Sequence, residues 1–550
     1  MNVAEAVGQV LADLGVTHAF GVVGSGNFHV TNALANAGTR YVAARHESGA
    51  ATMADAYARM SGEVAALTLH QGCGLTNAMT GIAEAAKSRT PLLVLAAETT
   101  TPTSNFFVDQ PGLARSVGAE TVRITSGATA VDDAVRAFTM ARDQRRTVVV
   151  NLPLDVQATS LPDVPVVPTP VAARSQPPPA AEDVTALAGL LAAAQRPVLI
   201  AGRGARHARA ELIALADACG ALLATSAVAK GLFRDVPWSL DVSGGFASPL
   251  AAELISGADV IVGFGCALNM WTMRHGRLIG PDARVVQVDL EPDALGRNRP
   301  VDVGVVGDSA AVAAAVVRAL GDNRSAAATQ YRGDALRRRI AEELRWRDVP
   351  FEDWGTGDGA SARIDPRTLT IGLDDLLPAE RVVAVDSGNF MGYPSMFLSV
   401  PDELGFCFTQ AFQSIGLGLA TAIGAGLAQP DRLPVAALGD GGALMAAAEL
   451  DTVRRLGLPM VVVVYNDSAY GAEVHHFTEG EPLDTVIFPE TDIAAVGAGY
   501  GFEPVTVRAP ADLEDVRRWV DGPRDRPLLI DAKIAAPRGA WWLEEAFRGH

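Results

Sequence analysis

The sequence predicts an α/β protein built from three doubly wound parallel-sheet domains, and three observations lead there. Short apolar runs rich in Val, Leu, Ile and Ala alternate with Ala-rich helical periodicity along most of the chain. The runs end in clusters of Gly, Ser, Asn or Asp, the turn chemistry expected where a buried strand hands over to a helix. The 550 residues suit about three or four domains of ordinary size with ample core.

Taken in order, residues 1–160 carry HAFGVV, RYVAAR, VAALTLH, PLLVLAAE and TVVVNLP between helical segments, a first α/β domain. Residues 161–181 contain seven prolines and little periodicity, and read as a linker. Residues 182–325 resume the alternation with PVLIAG, ALLATS, DVIVGFG and RVVQVDL, a central Rossmann-like domain. Residues 326–360 hold a charged helix, RRRIAEELRWRD, and a loose connector. Residues 361–550 supply RVVAVDSGN, PVAALGDGG, MVVVVYND and PLLIDAKI, a third domain of the same plan. The three similar plans suggest an ancient repeat.

Composition narrows the function classes. A net charge of −18 argues against nucleic acid or an anionic membrane surface as the main partner. No apolar run approaches the ~18 residues that span a bilayer. The first helix, MNVAEAVGQVLADLG, is acidic and amphipathic, unlike a signal sequence. Four cysteines without metal-ligand spacing read as reduced thiols, and a cytoplasmic protein is expected.

Ligands of open α/β sheets bind beyond the carboxyl ends of the strands, so the residues just after each strand are the candidates for chemistry. The stretch from Leu438 to Gly471 is the most informative. Gly439, Gly441 and Gly442 let the chain turn beneath a bulky anion, and a helix expected from about Ala443 to Leu456 would offer N–H groups to phosphate. Asp440 at that turn and Asp467 after the next strand lie 27 positions apart on adjacent strand ends. Two oxygen ligands so placed can share one hard cation bridging to a diphosphate, with Mg2+ the natural choice.

In the first domain, three loops converge: Gly24-Ser25-Gly26-Asn27, His46-Glu47-Ser48-Gly49 and Gln71-Gly72-Cys73-Gly74-Leu75-Thr76-Asn77. His70, at a strand end beside a Gly-rich turn, is well placed for proton transfer. In the central domain, Gly202-Arg203-Gly204-Ala205 lacks the third glycine of a dinucleotide loop and reads as a tight turn.

Gly439-Asp440-Gly441 closing with Asn466-Asp467, together with Glu47 before an Ala-rich helix that ends Tyr57-Ala58-Arg59, resembles the thiamine diphosphate-dependent enzymes. The decarboxylase and acetolactate synthase branches are the nearest in pattern. The resemblance implies a thiamine diphosphate-binding fold with pyrimidine, central and diphosphate domains, and thiamine diphosphate and Mg2+ as cofactors. Asp440, Asp467 and the backbone carbonyl of Ala469 match the metal ligands; Asp467 stands where Asn is usual. Glu47 matches the Glu that hydrogen-bonds the pyrimidine and promotes ylid formation. Ser25 and His70 match substrate-binding and catalytic residues of benzoylformate decarboxylase, Gln110 an active-site Gln of the carboligating branch, and Glu473 a catalytic Glu of pyruvate decarboxylase-like enzymes. His476 is a further catalytic candidate facing the same cavity. Asn77, Gly388, Asn389, Gln413 and Tyr470 are cofactor-binding candidates, and Ile415 matches the apolar wedge that bends the cofactor. The Arg-rich FAD segment of acetohydroxyacid synthases has no match after DVIVGFG, so FAD is not expected.

The implied activity is decarboxylation of a small 2-oxo acid through an enamine, which is protonated to an aldehyde or ligated to an aldehyde or second 2-oxo acid. An acetolactate synthase-like carboligase is the alternative, and a non-catalytic cofactor-binding homologue a third reading. In this family the cofactor lies between the first domain of one subunit and the third of another, which implies a homodimer or homotetramer.

Overall fold

A computed structural model describes residues 1–161, 178–321, 331–477 and 480–544. The Pro-rich segment read as a linker lies mostly outside the described residues, as does the beginning of the connector. The described residues form three six-stranded sheets, all parallel.

The first sheet comprises β1 (His18–Gly21), β2 (Arg40–Ala43), β3 (Ala65–Leu69), β4 (Leu92–Glu98), β5 (Glu120–Arg123) and β6 (Thr147–Pro153). The central sheet comprises β7 (Pro197–Ala201), β8 (Leu222–Thr225), β9 (Ser239–Val242), β10 (Val260–Phe264), β11 (Arg284–Asp289) and β12 (Val303–Val306). The third comprises β13 (Arg381–Val385), β14 (Phe406–Phe408), β15 (Leu433–Gly439), β16 (Val461–Asn466), β17 (Glu503–Val507) and β18 (Leu528–Lys533).

The spatial orders are β2-β1-β3-β4-β6-β5, β12-β11-β10-β7-β8-β9 and β14-β13-β15-β16-β18-β17. Counted within each sheet, the first and third therefore share one topology, 2-1-3-4-6-5. The central sheet runs 3-2-1-4-5-6, the order of a dinucleotide-binding fold. The similarity of plan thus holds strictly between the outer two sheets and only in general character for the middle one.

Strands such as β3, β4, β6, β15 and β16 are buried along nearly their whole length, as strands covered by helices on both faces must be. The helix Glu47–Ser61 is the pivot between the first and third sheets. Its sequence, ESGAATMADAYARMS, is small on several faces, and residues 50–58 are buried. A Cβ on Gly81 would strike Ala51 and one on Gly424 would strike the Met53 carbonyl, so the helices Cys73–Lys87 and Gly418–Ala428 approach it closely from two sides. One apolar core therefore runs from Phe20, Leu67 and Ile82 across Met53 to Ile423, Leu438 and Val464. Among the described residues no helix is long and apolar enough to cross a membrane.

Candidate active site

The third-sheet half of the site lines one side of a cavity that residues of all three domains enclose. β15 and β16 are hydrogen-bonded neighbours in register, Gly439 opposite Tyr465, so Asp440 and Asp467 emerge one residue and two residues beyond paired positions. Both line a cavity of about 1730 Å³ together with Ser387, Gly388, Asn389, Gln413, Ile415, Gly439, Gly441, Gly442, Ala469, Tyr470 and Glu473. Burial pushes the Asp440 carboxyl up to about 6. It pushes Asp467 up to about 8, with the facing Asp440 charge as the second cause. The Asp440 charge raises the proton affinity of Asp467, and the two carboxyls form a donor set that fits a divalent cation, which would remove that repulsion. No cluster of three or more His, Cys, Asp or Glu side chains suited to a metal occurs among the described residues, so Asp440 and Asp467 alone do not make a complete shell.

The helix expected from Ala443 to Leu456 is broken. It starts earlier, at Asp440, runs only to Met445, turns through a 3-10 segment Ala447–Glu449, and resumes at Leu450–Leu456. Ala446 leaves helical geometry at φ −98°, ψ 5°. The donors at this turn are consequently local N–H groups of a six-residue helix rather than the end of a long macrodipole. The glycines earn their place by contact: a Cβ on Gly441 would lie 2.5 Å from the Tyr470 ring, and one on Gly442 would strike the Asp386 carboxylate.

Asp386 is a site residue whose role the sequence did not disclose. Fully buried, it accepts hydrogen bonds from Ser387 N (2.9 Å), Gly416 N (2.9 Å) and Leu417 N (3.3 Å). It thereby ties the 386–389 loop to the loop carrying Gln413 and Ile415. Burial raises its carboxyl to about 6 in spite of these bonds. Glu84 of the first domain holds the same loop from outside, accepting from Ala411 N (3.0 Å) and Phe412 N (2.6 Å). Asn466, by contrast, is structural: its amide donates to Asp531 (2.8 Å) and accepts from Ser468 N (3.1 Å), fixing the turn that presents Asp467 and Ala469.

The first-sheet half is open. Glu47 opens its helix and takes a hydrogen bond from Asn77 Nδ2 at 3.1 Å. His70 Nδ1 lies 3.1 Å from the Gln71 carbonyl, which can only accept, so this nitrogen carries the proton in the neutral ring. Nε2 is then the acceptor, and Ser25 Oγ stands 3.4 Å from it. Phe106 packs edge-on against the ring at 5.2 Å. Gln110 is buried, accepting from Gly72 N (3.1 Å) and donating to Asn151 Oδ1 (3.1 Å), so its amide ties the 71–77 loop to β6.

Glu47, Ser25, His70, Asn77, Gln110 and His476 are not among the residues lining the cavity of Asp440 and Asp467. The structure therefore gathers the third-domain candidates other than His476 around one cavity and leaves the first-sheet candidates outside it. His476 packs its ring against Phe477 at 4.5 Å. Glu449, which the sequence reading passed over, links the two halves through the backbone of residues 45 and 46. The only sequence signal for it was its place nine positions after Asp440.

Comparison with known proteins places these halves in a family. Residues 1–117 match the N-terminal TPP binding domain of thiamine pyrophosphate enzymes, residues 184–316 the central domain and residues 386–532 the C-terminal TPP binding domain. A sulfoacetaldehyde acetyltransferase of Rhodobacter capsulatus is 29% identical, over 99% of this chain and 96% of its own. A probable 2-ketoarginine decarboxylase of Pseudomonas aeruginosa is 29% identical, over 94% of this chain and 91% of its own. A probable acetolactate synthase large subunit of Methanococcus aeolicus is 24% identical, over 97% and 92%. Because the three domain matches follow one another in order over three parallel sheets, this chain belongs to the thiamine pyrophosphate enzymes.

Proposed function

We propose that the chain is a thiamine diphosphate- and Mg2+-dependent 2-oxo acid decarboxylase, working in the cytoplasm as a homodimer or homotetramer. The observation that carries the reading is the His70–Ser25 pair, a proton-transfer couple with its tautomer set by the Gln71 carbonyl, on the same face as Glu47.

Bound thiamine diphosphate supplies a nucleophilic carbon for the substrate carbonyl and a sink for the electron pair left when carbon dioxide departs. The chain does the rest. Asp440, Asp467 and the Ala469 carbonyl would hold the cation, and Asp386 keeps the loops on either side in place. Ile415, which lines the same cavity, would support the cofactor. Glu47, aimed by Asn77, would hold a proton toward the pyrimidine. His70 Nε2 takes and returns a proton through Ser25, and Glu473 serves as a second acid from the cavity side. In this reading a second copy completes each site, which is consistent with Glu47 and His70 lying outside the cavity of Asp440.

A second reading is favoured by two of the relatives, the acetyltransferase and the synthase: transfer of the two-carbon or larger acyl unit onto an acceptor rather than a proton. Supplying single 2-oxo acids, aliphatic, aromatic and functionalised, and counting carbon dioxide against aldehyde and hydroxyketone separates them. Aldehyde in step with carbon dioxide is expected. Carbon dioxide accompanied only by ligated product would replace the decarboxylase reading with the second.

A further inference from the structure

Glu449 has no part in the chemistry described so far, yet it is 3% exposed and directed out of its own domain. It ends the 3-10 turn Ala447–Glu449 and precedes the helix Leu450–Leu456. Its Oε1 accepts from Arg45 N at 3.1 Å and from His46 N at 3.0 Å. Its Oε2 accepts from Arg45 N at 3.3 Å and from Thr452 Oγ1 at 2.6 Å. A Cβ on Gly49 would strike Oε1, so the glycine two positions past Glu47 is what admits the carboxylate to the start of that helix.

The neighbouring residues extend the grip. Arg45 pairs with Asp451, its Nε at 2.7 Å, and Arg455 donates to the Ala43 carbonyl at 2.6 Å and to Asp451 at 2.8 Å. Arg455, Arg45 and Arg454 together depress the Asp451 carboxyl to about 2, so it stays charged across the working range. Residues 449–455 of the third domain thus hold the chain from the end of β2 to the residue before Glu47. Glu47 itself takes a single side-chain hydrogen bond among the described residues, from Asn77. Its aim is therefore set by where its backbone is held.

We propose that Glu449 is a positioning residue for Glu47, fixing the 45–46 backbone from the third domain so that the Glu47 carboxylate meets the cofactor in register. This rests on the reading of Glu47 given above. Misplacement of a reacting group by ~1 Å costs on the order of 10²-fold, so loosening this anchor has a measurable consequence at Glu47. Glu449→Gln keeps the size but turns one acceptor oxygen into a donor that faces either the two amides or the Thr452 hydroxyl.

The test is a cycle on holoenzyme loaded with thiamine diphosphate and Mg2+, reading deuterium exchange at the cofactor C2 by quenched-flow NMR. Glu449→Gln is expected to slow exchange by about tenfold or more in the wild-type background, and to add nothing in a Glu47→Gln background. Unchanged exchange overturns the proposal. So does equal slowing in both backgrounds, which is what general loosening of the fold would give. Hydrogen exchange of the 43–50 peptide in the cofactor-free protein reads the anchor alone: Glu449→Gln should expose the Arg45 and His46 amides, and unchanged protection overturns the grip. If Glu47→Gln by itself leaves C2 exchange at the wild-type rate while the peptide is exposed by Glu449→Gln, it is the role of Glu47 that fails. Should Glu449→Gln not fold, Thr452→Val removes the hydroxyl donor at constant shape; about threefold slower C2 exchange, again absent in the Glu47→Gln background, is expected, and no slowing overturns the proposal.

Discussion

The first and third sheets share a strand order, and both carry their candidate residues on loops at the carboxyl ends of strands, yet they treat charge in opposite ways. On the third sheet the carboxylates are withdrawn: Asp440 is 8% exposed and Asp386 fully buried, and burial raises both. On the first sheet Ser25, His46 and Asn77 face solvent, while Glu47 and His70 are half-buried on loops held from behind by Gln110 and Glu449. A cation is gripped best where water is excluded, because attraction between charges grows as the dielectric falls. A surface left open is accessible to a second body instead. One topology thus serves as a closed cradle and as an open face, and the difference lies in the loops.

Breaking the closed side should have the largest effect. Asp440→Ala is expected to abolish Mg2+-dependent retention of thiamine diphosphate through gel filtration, and activity with it; loss of even an outer-shell partner of a metal costs ~10–100-fold. Normal retention would remove Asp440 from the ligand set. On the open side, Glu47→Gln should leave retention intact while C2 exchange slows by roughly 10²–10⁴-fold, the range of general acid–base contributions. If retention were lost as well, the two sides would not be separable in the way their burial indicates. His70→Ala is expected to lower kcat by about 10²-fold without touching either retention or C2 exchange. Slower exchange would show that His70 works on the cofactor instead of the substrate.

The contrast also explains what could be read from the residues alone. The strands visible as apolar runs are mainly central ones. Five escaped notice, β5, β9, β12, β14 and β17, and every one is at the edge of its sheet. ETVR and EPVTV bury only alternate residues, so no continuous apolar run marks them. At the site, Asp440 and Glu47 stand out as candidates because Gly-rich turns and strand ends flank them. Asp386 and Glu449 were not recognised for their roles, because each acts by accepting backbone N–H groups from residues 30 and about 403 positions away. Such pairing has no local signature. Gln110 shows the converse: a residue picked for chemistry whose amide is engaged in holding Gly72 and Asn151. The expected helix from Ala443 missed its break at Ala446 because Ala-rich sequence favours helix whatever the tertiary contacts require.

Smaller effects distinguish the buried carboxyls from one another. The folded Asp386 carboxyl, raised to about 6 against an ordinary 3.8, binds its proton more tightly than the unfolded chain does. Its contribution to stability is therefore fully present below about pH 4 and is lost as pH rises through 6, on the order of 3 kcal/mol in all. The melting-temperature difference between wild type and Asp386→Asn should accordingly shrink by a few degrees from pH 4 to pH 7 and stay level above. A difference independent of pH would show that Asp386 is ionised throughout.

The mildest change, Asp467→Asn, bears on why the cradle holds two carboxyls. Without a cation the pair repel, which is why the facing Asp440 helps to raise Asp467 to about 8. Asn keeps an oxygen ligand and removes that repulsion, so the cation-free protein should melt a few degrees higher at pH 8 than wild type. The same change removes one of the two charges attracting the cation, and Mg2+ affinity in the presence of thiamine diphosphate should weaken by roughly tenfold. Thermal melts in chelator and in saturating Mg2+ with cofactor test both halves together: the gain on loading should be smaller for Asp467→Asn than for wild type. A variant less stable in chelator, with unchanged Mg2+ affinity, would mean that Asp467 supports the turn rather than the cation, and would make the closed side depend on Asp440 alone.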